Sequence, residues 1–324
     1  MGEFDIIARH FAPLSHGEAG AFGLTDDAAV LSIDSGRQMV VTSDCLVAGV
    51  HFLKNDPPET IARKVLGVNL SDLAAMGAQS RAYTLAAAWP TPIDESWVAK
   101  FAAGLKSAQT DWQVTLIGGD TVATDGPLTL TVTAFGEVGE GAALTRAGAK
   151  PGDDLYVSGS LGDAALGLLT ISGELSGALT DDHAAYLTDR YRCPQPRVTL
   201  GPQLQGIASS AIDISDGLIA DLGHITDVSG VSATVETADI PLSTAARSVL
   251  EDASDHLATV LTGGDDYELL FTAPPALRDE ISRLPAQTTR IGTIGEHKSE
   301  NPITLIGPDG ASLPLPAQSG YRHF

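Results

Sequence analysis

The chain is poor in positive charge, sulfur and aromatic rings. Its 324 residues carry 19 Lys and Arg against 41 Asp and Glu, a formal net charge of −22. That balance excludes bulk binding to nucleic acid or to an anionic membrane, whose phosphates such a surface repels. Only two cysteines occur, Cys45 and Cys193, far apart and without C-x-x-C spacing, so neither a disulfide framework nor a zinc site is indicated. No apolar run approaches the ~20 residues of a membrane span. The start, with Glu3 and Asp5, has acids where a secretory leader has bases. The expectation is a soluble, cytoplasmic protein with no nucleic-acid or membrane partner. Familiar nucleotide patterns are missing as well: G-x-x-x-x-G-K-[ST], a G-x-G-x-x-G after a strand, the protein-kinase H-R-D and D-F-G elements, and the G-x-S-x-G elbow.

A hydrophobic content of 43% over this length is enough for a sizeable core and two domains. Strand-like and helix-like patterns alternate. Strands are predicted at 27–33, 38–46, 80–88, 113–118 and 127–137, with helices at 57–76 and 94–109. A Gly-rich stretch from Gly136 to Gly152 marks the best domain junction, giving domains 1–140 and 141–324. Further strands are predicted near 153–158, 210–214, 231–237, 266–272 and 288–295. Helices are predicted near 162–172, 180–190, 196–206, 217–228, 243–251 and 275–284. The fold class is α/β (or α+β) with two domains.

Aspartates recur where apolar runs begin or end: Asp26-Asp27, Asp44, Asp120, Asp213 with Asp216, and Asp265-Asp266. Strand ends are where open α/β sheets bind ligands. Taken singly, each has a plainer reading; Asp216 before Gly217-Leu218 also suits a helix N-cap. Asp72 says more. With Ile61 at zero on a wheel of ~100° per residue, Val65, Val68 and Met76 fall near ~40°, ~340° and ~60°, and Asp72 near ~20°, inside the apolar stripe. A carboxylate there is costly unless paired, protonated or bound to a cation, or unless the helix end is wet. Arg63 and Lys64 fall elsewhere on the wheel. Oxygen ligands without a Cys/His cluster suit Mg²⁺, Mn²⁺ or Ca²⁺, and Mg²⁺ commonly shares its coordination with substrate phosphates. Arg146, beside the Gly-rich junction, is the most obvious phosphate clamp.

Several segments together resemble the thiamine-monophosphate kinase family. They are 41–52 (VTSDCLVAGVHF), 68–78 (VNLSDLAAMGA), 116–121 (LIGGDT), 144–153 (LTRAGAKPGD), 212–218 (IDISDGL) and the terminal 320–324 (GYRHF). The matches run in order over essentially the whole chain. The resemblance implies an aminoimidazole ribonucleotide synthetase-like fold. Its N-terminal domain dimerises through its sheet, and a C-terminal α/β domain completes an active site in the cleft between domains. It also implies ATP-dependent phosphorylation of thiamine monophosphate by a homodimer holding several Mg²⁺ ions. Carried over position by position, the metal ligands fall on Asp27, Thr42, Ser43, Asp44, Asp72, Asp120, Asp213 and Asp216. Contacts to ATP fall on Gly119, Asp120, Arg146 and Ser215, and contacts to thiamine phosphate on His51, Asp265 and Tyr321. Asp44, Asp72, Asp120 and Arg146 are the expected catalytic set. Three positions depart from the family pattern: Thr25 stands in place of Gly, Asp265 in place of Glu, and Arg322 in place of Asp.

Overall fold

The alternating apolar pattern between residues 37 and 139 resolves into one mixed sheet. The computed structural model describes residues 3–25, 28–92, 94–175, 179–298 and 302–321. Its strands here are β1 (Arg37–Val47), β2 (Gln79–Pro90), β3 (Thr115–Thr124) and β4 (Thr129–Gly139), in the order β1-β4-β2-β3. β4 pairs antiparallel with β1 and β2, whereas β2 and β3 run parallel. Helix α1 (Pro58–Ala75) precedes β2, and α2 (Glu95–Trp112) makes the crossover between the two parallel strands. α2 buries Val98, Phe101, Ala102, Leu105 and Ala108, a stripe at helical spacing, and Asp94 caps its start by accepting from the Ser96 amide at 2.9 Å. α1 is apolar almost all round: Ile61, Ala62, Val65, Leu66, Val68, Leu70 and Leu73 are all buried. Lys64 is buried with them, so the single stripe drawn from the sequence was too narrow.

This sheet, its helices and the turns before residue 25 form one compact unit, residues 1–73 and 78–141. The second unit comprises residues 74–77 and 142–324. It holds β5 (Asp154–Ser158), α3 (Asp163–Ser172), α4 (Asp181–Arg192), β6 (Ser210–Asp213), α5 (Leu218–Ser229) and β7 (Ser232–Glu236). After these come α6 (Thr244–Asp252), α7 (Leu257–Thr262), β8 (Leu269–Ala273), β9 (Thr288–Gly295), β10 (Ile303–Ile306) and β11 (Ser312–Leu313). The sheet order is β11-β10-β7-β9-β5-β8-β6. The central strands β5 and β8 are buried at every residue. One core joins Leu155, Val157 and Leu270 to Leu166, Leu222 and Ile225 of the helices. A second core gathers Tyr156, Ala211 and Phe271, with the Tyr156 and Phe271 rings stacked 5.2 Å apart.

Four expectations are corrected. Residues 28–33 form no strand; Val30 is tied instead to Gly20, its amide donating to the Gly20 carbonyl at 2.8 Å. The predicted helix 196–206 shrinks to a single turn, Gly201–Leu204, because Pro194, Pro196 and Pro202 remove donors that a helix needs. The predicted helix 275–284 is two short turns, Pro275–Leu277 and Arg278–Ile281. Finally, β1 and β3 do not stop at aspartate: each runs on, to Val47 and to Thr124, so Asp44 and Asp120 lie within strands. No helix among the described residues is long and apolar enough to cross a membrane.

Candidate active site

In the first unit, strand alternation decides which side chains meet. Thr42, Asp44 and the buried Leu46 share one face of β1, the face on which α1 packs. There the Thr42 hydroxyl donates to Asp72 Oδ2 at 2.5 Å, and the Asp44 amide donates to Asn69 Oδ1 at 3.0 Å. Asn69 is wholly buried and anchored by donating from its Nδ2 to the Val65 carbonyl at 3.0 Å. Burial raises the Asp44 carboxyl from its ordinary 3.8 to about 6, and the neighbouring Asp72 charge adds to the shift. Ser43 turns to the other face, where its hydroxyl lies 3.1 Å from the Val132 carbonyl and 3.0 Å from Thr133 Oγ1.

Asp120 stands apart from that pair. β1 and β3 are the outer strands of the sheet, three strand spacings or about 14 Å apart. Asp120 is exposed and accepts from the Thr121 amide at 2.8 Å. Gly119 is required beside it, since a Cβ there would sit 1.9 Å from the Leu85 carbonyl oxygen. Gly118, Gly119, Asp120 and Thr121 open on a cavity of about 300 Å³ whose other wall includes Phe11 and Leu24. His51 lies just beyond β1, its Nδ1 accepting from the Val47 amide at 3.0 Å, which leaves the proton of the neutral ring on Nε2. Asp27 and Arg322 lie outside the described residues. Among the described residues, no group of three or more His, Cys, Asp and Glu side chains is placed to hold a metal ion.

In the second unit, three segments separated in sequence are stitched together by backbone bonds. β6 ends at the buried Asp213, and the loop Ile214–Gly217 follows. The Asp265 amide donates to the Ser215 carbonyl and the Tyr267 amide to the Ile214 carbonyl, both at 2.8 Å. The Tyr321 amide donates to the Asp216 carbonyl at 3.0 Å. Asp213, Ser215, Asp216, Asp265 and Tyr321 are thereby assembled in one place. Arg146 is not brought to that loop: it is exposed on a loop at the other end of α5, where the Ser229 hydroxyl donates to the Arg146 carbonyl at 3.3 Å and the Ala211 amide donates to the Thr145 carbonyl at 2.9 Å.

The substitution at 265 is intelligible in this setting. Asp265 has φ +63°, a left-handed conformation that Asp tolerates better than a longer side chain does. Its Oδ1 accepts from the Tyr267 hydroxyl at 3.1 Å. Thr25, by contrast, has φ −109°, so no glycine is needed there.

Sequence reasoning missed the groups behind these loops. Asp216 is not the N-cap of α5; Gly217 occupies that position without a side-chain cap. The buried Asp221, one turn on, reaches back and takes the amides of Ser215, Asp216 and Gly217 at 3.0, 3.1 and 3.1 Å. Burial lifts its carboxyl to about 7, the Asp216 charge adds to this, and the three amides oppose it. Glu268, fully buried, accepts from Arg197, from Arg190 at 3.2 Å and from Ser158 Oγ. An acid in the first turn of a helix is the signal that would have flagged Asp221; nothing local in sequence pairs Glu268 with Arg190 and Arg197.

Comparison with known proteins bears on the fold and the family. Residues 25–138 match the family described as AIR synthase related protein, N-terminal domain. Thiamine-monophosphate kinase of Escherichia coli O157:H7 is 45% identical, over 100% of this chain and 98% of its own length. The crystal structure of thiamine-monophosphate kinase from Stenotrophomonas maltophilia K279a superposes with a TM-score of 0.80 at 43% identity, covering 89% of this chain and 90% of that one. AaThiL complexed with AMPPCP and TMP superposes with a TM-score of 0.79 at 29% identity, over 100% of this chain and 97% of that one. With full-length relatives at this identity and a fold that matches theirs, the chain belongs to the thiamine-monophosphate kinase family.

Proposed function

We propose that this protein transfers the γ-phosphoryl group of ATP directly, in line, to thiamine monophosphate, giving thiamine diphosphate and ADP. The observation that carries the reading is the Asp44–Asp72 pair. Two carboxylates held close enough for one to raise the other's pKa, with a hydroxyl between strand and helix, form a hard-oxygen site suited to a divalent cation. Asp27, Thr42, Ser43, Asp44, Asp72, Asp120, Asp213 and Asp216 are the residues we assign to hold Mg²⁺. Bound Mg²⁺ neutralises the repulsion between two polyphosphate anions and orients them.

The protein's remaining tasks are positioning and charge. The acceptor is a phosphate monoester with a second pKa near 6, already largely dianionic at pH 7, so no strong general base is required. Gly119, Asp120, Arg146 and Ser215 are the residues we assign to contact ATP. The Arg146 guanidinium balances charge on the transferring group. The cationic thiazolium is held by Asp265 and by the exposed ring of Tyr321, with His51 also contacting this substrate. We assign the protein to the cytoplasm, as a homodimer formed through the first sheet; light scattering should give a dimeric mass.

Purified protein, ATP, Mg²⁺ and thiamine monophosphate should yield thiamine diphosphate, followed by thiochrome fluorescence. Thiamine itself, which offers an alcohol instead of a phosphate, should yield none. No product where both ligands demonstrably bind would end the kinase reading.

A further inference from the structure

The start of α5 looks like an anion site but is already filled. Three successive amides, Ser215, Asp216 and Gly217, converge on a single oxygen, Oδ2 of Asp221. Such a nest of N–H groups at a helix N-terminus binds phosphates in many proteins. Here the occupant is the helix's own carboxylate, only 2% exposed. Turning the amides inward turns the carbonyls of Ser215 and Asp216 outward, and these accept from the Asp265 and Tyr321 amides. Gly217 makes the turn possible at φ +121°, where a Cβ would meet the Thr262 backbone at 2.7 Å. One carboxylate therefore stands under all three segments of the second-unit site.

We infer that Asp221 is a positioning residue: it fills the amide nest at the head of α5, denies it to phosphate, and fixes the loop that presents Ser215 and Asp216 to the metal nucleotide. This rests on the reading that those two residues serve Mg²⁺ and ATP. Phosphate is then met through cations on the aspartates and through Arg146, not through the helix terminus. Asp221 touches no substrate itself.

The test compares three variants. Asp221→Asn keeps length and an accepting oxygen; Asp221→Leu keeps size and loses the acceptor; Asp221→Glu keeps the charge but moves the oxygen by one methylene. Two readouts are used, neither needing turnover: amide hydrogen exchange over residues 214–217, and the dissociation constant of Mg²⁺–AMPPCP by calorimetry. Asp221→Asn should keep wild-type exchange and affinity within a few fold. Asp221→Leu should exchange those amides at least about tenfold faster and bind the nucleotide at least about tenfold more weakly. If the Leu variant does not fold, Asp221→Glu, which retains the charge, should show the same two shifts with a native circular dichroism spectrum.

A folded Leu or Glu variant with wild-type exchange and affinity would overturn the inference. So would an Asn variant that keeps the amides protected but loses nucleotide binding, since charge alone would then be at work. If wild-type protein makes no thiamine diphosphate while these shifts are seen, the kinase reading fails and the positioning role stands.

Discussion

The two units carry their acids on different supports. In the first, Thr42, Asp44 and Asp72 sit on a long strand and a long buried helix, and their distances follow from strand alternation and helix packing. In the second, Asp213, Ser215, Asp216, Asp265 and Tyr321 sit at a strand end and on turns, held by cross-loop amide bonds, left-handed residues and buried acids behind them. Regular elements fix a side chain through the core they share. Turns have no core of their own and must be fixed by specific polar partners, so the second region places its buried acids, Asp221, Asp266 and Glu268, directly behind these turns.

The comparison breaks most visibly at Glu268. Removing its charge by Glu268→Gln strands the buried Arg190 guanidinium and the half-buried Arg197, and should cost about 3–5 kcal/mol of stability, read by urea denaturation. A loss below about 1 kcal/mol would show that turns here do not depend on buried ion pairs. Next come Asp72→Asn and Asp120→Asn, on regular elements: each should cut turnover about 100-fold with a nearly unchanged melting temperature. Wild-type turnover in either would remove that residue from the site.

A smaller effect is expected of Asp265→Glu, which restores the family's longer acid. It should shift KM for thiamine monophosphate by less than about tenfold and lower stability by less than about 1 kcal/mol, because a longer side chain at φ +63° is less well accommodated. The subtlest test is pH. Asp44 in the folded chain holds its proton to about 6, whereas the unfolded chain releases it near 3.8. As pH rises between those values the unfolded state loses the proton first, so the folded state loses stability across that window and no further above it. In metal-free protein, the melting temperature of wild type relative to Asp44→Asn should fall from pH 4 to pH 6, and Mg²⁺ at pH 7 should cancel the loss. A difference flat with pH would show that Asp44 is not strained by its neighbours.

Legibility in the sequence followed the same division. Asp72 could be placed inside an apolar stripe because helical periodicity is a strong local signal, and α1 spans Pro58–Ala75, close to the expected 57–76. The sequence did not show that β1 and β3 continue past their aspartates, since a polar residue inside a half-open strand looks like an end. It did not place Asp120 on the opposite sheet edge from Asp44 either, because strand order is set by long-range pairing. The 212–218 and 263–268 segments were recognisable as motifs. Their meeting point was not, being made by backbone bonds between residues about fifty positions apart, such as Asp265 to Ser215.

In the proposed function, this acidic protein handles phosphate by gathering cations on its aspartates. The most direct measurement is the rate of thiamine diphosphate formation from ATP and thiamine monophosphate across a series of free Mg²⁺ concentrations, starting from chelator-treated protein. If cations gathered on the aspartates handle the phosphate, turnover should be absent without divalent cation, should rise saturably as Mg²⁺ is added, and should need higher Mg²⁺ in Asp72→Asn. Full turnover in excess chelator, or a Mg²⁺ response that Asp72→Asn leaves unchanged, would contradict it.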